Sequence, residues 1–145
     1  MKNEYLRHTV ATIQYRFQQS IKEMEDAFGD FNLGKGSRSP KEIINHMYQV
    51  LHYTRFFIEG DRSKDEIPEK LSLTYEIERF NDELKALDRS LTHRALEMSY
   101  TKRLLQGPLA DMLTHIGQLA MLQRMNGEPI EKEDFAAATI RTGLV

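Results

Sequence analysis

The chain has 145 residues, enough for one domain (1–145) with a sizeable buried core. Twenty Lys and Arg stand against 22 Asp and Glu, a formal charge of −2 with no basic block, which argues against charge-driven nucleic-acid binding. There is no cysteine, so disulfides, thiolate nucleophiles and thiolate metal sites are excluded, and any metal would be held by histidine and carboxylate.

Leu6, Val10, Ile13, Phe17, Ile21, Met24 and Phe28 recur at steps of three and four, predicting a helix over roughly 4–28 that Gly29 ends. The turn-formers and glycines of 30–39 predict a loop. Ser39, Pro40 and Glu42 then supply an N-cap, an N1 proline and the returning acid of a capping box. The helix they start buries Ile43, Met47, Val50, Leu51, Thr54, Phe57 and Ile58, with His46 on that side. His52 falls with Tyr48, Arg55 and Glu59 on the opposite, wetter face. A second loop covers 59–68.

Leu73, Ile77, Phe80, Leu84, Leu87 and Leu91 predict a third helix over roughly 70–91, with Glu76, Glu78, Asp82, Glu83, Lys85 and Arg89 on its solvated faces. Residues 92–107 have helical composition but no clean stripe, and read as a loop, a short strand pair or a helix running toward Gly107. The last long helix spans 108–127, opened by Pro108 at N1 and closed by Asn126-Gly127 with Pro129 beyond. A short helix is expected around 134–140, where Phe135 could close one end of the bundle or form an oligomer contact. Four amphipathic helices without strand alternation give an all-α, four-helix bundle with a short C-terminal helix. No apolar run is long enough to span a membrane and the N-terminus is no signal peptide, so a soluble, cytoplasmic protein without membrane partners is expected.

Of the five histidines, His8 and His93 read as surface groups and His52 as solvated, whereas His46 and His115 fall on or beside buried stripes. Asp111 and His115 are four residues apart, so they stack one turn above the other, about 5–6 Å apart at Cβ, and can reach one ion together. His46 is the inward-facing histidine available as a third ligand. The same three groups could equally make only internal hydrogen bonds in a helical interaction protein. Tyr53 and Gln118 are candidate pocket groups that also have plain packing explanations.

The run Ser39-Pro40-Lys41-Glu42-Ile43-Ile44-Asn45-His46 resembles the S/T-P-x-E-x-x-x-H start of the second helix in DinB-like proteins, the DinB/YfiT superfamily of metal-dependent hydrolases. Asp111-x-x-x-His115-x-Gly117-Gln118 is similar to that family's H-x-x-x-H-x-G-Q signature, and Arg124 with Gly127 to its R-x-x-G ending. The resemblance implies an up-down-down-up bundle with a divalent metal on three side chains. His46 and His115 match two of the ligands, and Asp111 stands where most members carry a histidine. A two-His-one-Asp set suits Zn, Ni, Mn or Fe(II) and leaves open positions. The implied activity is that of a hydrolase or a thiol-dependent S-transferase acting on a small molecule, such as a low-molecular-weight thiol, in a chain that could form a homodimer. The alternative is a non-catalytic metal- or ligand-binding module, or an interaction protein with a vestigial site.

Overall fold

The computed structural model describes residues 1–61, 67–143 and 145, and among these every regular element is helical. Part of the expected 59–68 loop therefore lies outside the described residues. Helix α1 (Glu4–Ile21) buries Leu6, Val10, Ile13 and Phe17 as its stripe requires. It stops well short of 28: Lys22 is extended and Glu23 takes φ 61°, so Phe28 reaches the core from a separate 3-10 turn, Asp26–Asp30. Gly29 accordingly does not end α1. A Cβ there would lie 2.9 Å from the Leu73 Cβ, so the glycine permits close approach to the start of the third helix.

Helix α2 (Pro40–Ile58) begins where the capping signal places it, with Glu42 accepting from the Ser39 N–H at 3.0 Å and the Ser39 hydroxyl at 2.8 Å. Helix α3 (Leu73–His93) follows, and Phe80 meets Phe17 across the core at a centroid distance of 4.6 Å. The stretch without a clean stripe contains helix α4 (Met98–Leu104), which runs through a π turn (Leu105–Leu109) into α5 (Ala110–Met125). Pro108 thus lies inside a continuous helical rod and does not begin one. Its ring has no N–H and crowds the carbonyl four residues back, and the wider turn, in which the Ala110 N–H reaches the Leu105 carbonyl, carries the helix past it. The C-terminal helix is a single 3-10 turn, Phe135–Ala137, whose Phe135 packs on Tyr15 and Arg16 of α1.

Each long helix packs on two others: α2 most extensively on α3, α1 on α5, with α1–α3 and α2–α5 completing a ring around the core. Arg7 pairs with Asp88 through two bonds of 2.9 and 3.0 Å while Phe17 meets Phe80, so α1 and α3 are antiparallel. Between α2 and α3, Asn45 bonds Glu76, His52 bonds Glu83 and Glu59 bonds Ser90, each pair 31 residues apart. These two helices are therefore parallel, joined along a polar seam that repeats every seven residues.

That seam corrects the solvated placement of Glu76 and Glu83, which are 1% and 3% exposed. Glu76 accepts from Asn45 Nδ2 (2.8 Å), the Leu71 N–H (3.0 Å) and Arg79 Nη2 (2.6 Å). Glu83 accepts from Arg55 Nε (2.7 Å) and His52 Nδ1 (2.6 Å). His52 is likewise half-buried rather than solvated, stacked on Tyr48 with the Phe56 ring tilted against it. Charged residues can occupy a helix interface when the facing helix supplies the opposite charge, a fact that one helix's pattern does not contain. Among the described residues no helix is long and apolar enough to cross a membrane.

Candidate metal centre

The face of α2 opposite the seam looks onto α5. There the i, i+4 spacing of Asp111 and His115 meets His46 from α2, and among the described residues these three form the one cluster whose donor atoms lie close enough to hold an ion, all within 4.8 Å. His46 Nε2 lies 3.9 Å from Asp111 Oδ2, and the two imidazole centroids are 5.0 Å apart. A tetrahedral site with bonds of ~2.0–2.1 Å sets its ligand atoms about 3.3 Å from one another, closer than the 3.9 Å between His46 Nε2 and Asp111 Oδ2. Two imidazoles and one carboxylate fit a borderline divalent cation, and the donor chemistry agrees with the geometry.

The tautomers favour the same use. His115, 8% exposed at its side chain, places Nδ1 at 2.7 Å from the Asp111 backbone carbonyl. A carbonyl can only accept, so Nδ1 carries the hydrogen and Nε2 keeps its lone pair for a ligand. Burial, then the charges of Arg38 and His115, hold His46 below the ordinary histidine range, with Asp111 opposing. That direction disfavours the protonated form, and His46 has no hydrogen-bond partner among the described residues.

Beside the cluster lies an open cleft of about 960 Å³ between α2 and the α4–π–α5 rod. Phe57 meets Tyr100 at one end and His46 meets Asp111 at the other, so the two walls are antiparallel. Eleven residues of α2 separate His46 from Phe57, giving the cleft a length of about 16 Å. Val50, Tyr53, Leu104 and Pro108 make its lining largely apolar, and among the described residues Asp111 is its carboxylate and Arg103 its lysine- or arginine-type cation. The π turn brings Gly107 and Pro108 to the wall.

Tyr53 is therefore on the cleft, half-exposed, whereas Gln118 is exposed and does not line it. Phe135, packed against Tyr15 of α1, does not line it either. His8 is exposed with Thr142 at 2.9 Å, and His93 is the exposed last residue of α3, both as expected for surface groups. Tyr100 and Leu104 were not legible as wall residues because 92–107 has no stripe of its own, and Pro108 reads from the sequence as a helix start. Comparison of the chain with family models, with curated proteins and with solved structures finds no match.

Proposed function

We propose that this chain is a DinB-like protein that binds a divalent metal through His46, Asp111 and His115 and uses it as a hydrolase or thiol-dependent S-transferase. The observation that carries this proposal is convergence: two helices bring two imidazoles and a carboxylate to one point at the end of a large cleft. The antiparallel and parallel helix pairs described above support an up-down-down-up order, and the capping box at Ser39 supports the family's second-helix motif. Zn, Ni, Mn and Fe(II) all suit the donor set, and Zn or Fe(II) would leave positions for a small molecule.

A bound divalent ion would supply Lewis acidity toward a carbonyl or a thiol at neutral pH. The chain's own contribution would be to hold and orient. The Asp111 carbonyl fixes the His115 ring, burial disfavours protonation of His46, and the apolar walls give a bound molecule contact area. Asp111, a proposed ligand, is the one carboxylate among the described residues that line the cleft, and a non-catalytic metal-binding module is the second reading.

Elemental analysis of untagged protein should find about one divalent ion per chain, with the melting temperature falling on chelation. Metal-free protein indifferent to both chelator and added Zn²⁺ would overturn the metal centre. With metal present, turnover of a thiol, ester or amide panel selects the enzyme, and its absence the binding module.

A further inference from the structure

His46 borders two cavities, not one. On one side is the apolar cleft, and on the other a smaller pocket of about 200 Å³ between the start of α2 and the segment leading into α3. His46 and Gln49 line both, so the small pocket opens beside the metal ligands and away from the hydrophobic walls.

The charges of the small pocket are unevenly engaged. Of its carboxylates, Glu42 is bound to the Ser39 backbone and hydroxyl, and Glu76 to Asn45, Leu71 and Arg79. Of its cations, Lys41 pairs with Asp30 at 2.5 Å. Arg38 and Lys70 are exposed and make no hydrogen bond or close ion pair among the described residues. Arg38 is near enough for its charge to act on His46, and Lys70 for its charge to act on Glu42. A pocket of this size accepts a carboxylate or a phosphate, and two uncommitted cations at its rim match that charge.

We propose that the site takes an amphiphilic small anion that straddles His46, its acidic head group on Arg38 and Lys70 and its apolar or aromatic body in the cleft along Val50, Tyr53 and Leu104. The bond to be acted on then lies between the two, at the metal ligands. That last step rests on the metal-centre proposal, whereas the binding mode does not. Head-group recognition sets orientation, and the apolar walls supply most of the contact area.

The test is calorimetric titration of the full chain with 4-phenylbutanoate and with its neutral isostere 4-phenylbutanamide. The acid should bind at least about tenfold more tightly, and Arg38→Gln with Lys70→Gln should remove that preference while leaving the amide unchanged. Tyr53→Ala should weaken both compounds together. Equal affinity for acid and amide, or a preference that survives loss of both cations, overturns the proposal. So does a dimer, seen by light scattering, whose formation Tyr53→Ala abolishes, because a second copy would then fill the cleft. Metal content measured on the same samples separates the two ideas. Metal without charge discrimination removes this inference alone, and discrimination without metal removes the metal centre alone.

Discussion

Helix α2 carries two histidines six residues apart, one on each of its packed faces, and they differ in partners much more than in exposure. Their side chains are 26% and 30% exposed for His52 and His46. His52 donates to Glu83 at 2.6 Å, Arg55 adds a second bond to the same carboxylate, and the seam continues to Glu76 and Ser90. Burial pulls Arg55 downward, but Glu83 and Glu59 outweigh it and hold the guanidinium above its ordinary range. Both oxygens of Glu83 are thus engaged from α2, although Arg79 Nε, buried on α3, has no hydrogen-bond partner among the described residues. On the other face His46 has Asp111 at 3.9 Å, no hydrogen bond among the described residues, and an open cleft beside it. Nearly equal burial with unequal satisfaction separates a structural histidine from a ligand candidate.

Four measurements would break or sharpen that contrast. The largest effect is expected from Glu83→Ala, which strands Arg55 and His52 at the helix interface and should cost about 3 kcal/mol in urea unfolding. A loss below about 1 kcal/mol would mean the seam contributes little beyond packing. Asp111→Ala comes next: metal affinity should fall at least about 100-fold, or ~2.7 kcal/mol, in a competition titration, while metal-free stability stays level. An Asp111→Ala protein that holds Zn²⁺ as tightly as the parent would remove Asp111 from the ligand set.

The two histidines give the direct comparison. His52→Ala should cost about 1.5 kcal/mol, the worth of a hydrogen bond to a charged group. His46→Ala in metal-free protein should change stability by no more than about 0.5 kcal/mol, yet abolish the stabilisation that added metal confers. Equal costs for the two would erase the distinction drawn here.

The smallest effect concerns acid. The Ser90 hydroxyl first, and Arg55 after it, hold the Glu59 carboxyl below the ordinary range against opposing burial. A depressed folded pKa gives stability that is present above the unfolded value of about 4.3 and is lost as pH falls through the folded one. Ser90→Ala should therefore make the acid limb of the stability curve shallower, by about 0.5 kcal/mol given the partial exposure of Glu59. An unchanged acid limb would take Ser90 out of the seam.

The features most legible in the sequence were those that chain neighbours decide. The 3.6-residue stripes gave α1, α2 and α3, and Ser39-Pro40-Lys41-Glu42 gave the start of α2 to the residue. Asp111 and His115 could be paired because one helical turn puts them together whatever surrounds them. Residues 92–107 were not legible because a short helix and a π turn share too few turns to build a stripe, and Pro108 mimics a helix start when it sits in a widened turn. The seven-residue repeat of Asn45, His52 and Glu59 opposite Glu76, Glu83 and Ser90 was present in the letters, but polarity made His52, Glu59, Glu76 and Glu83 look solvated when each helix was taken alone.

By itself, then, the sequence determined where most of the long helices run and which side chains share a turn, since both follow from a fixed rise and rotation per residue. Only the tertiary structure decided which helix faces which. It therefore decided that Glu83 is buried against Arg55, that His52 is spoken for, and that His46 reaches Asp111 and His115 across a helix interface at the end of a cleft. The reason is that a polar side chain's cost or use depends on what the facing helix offers, and no single helix carries that information.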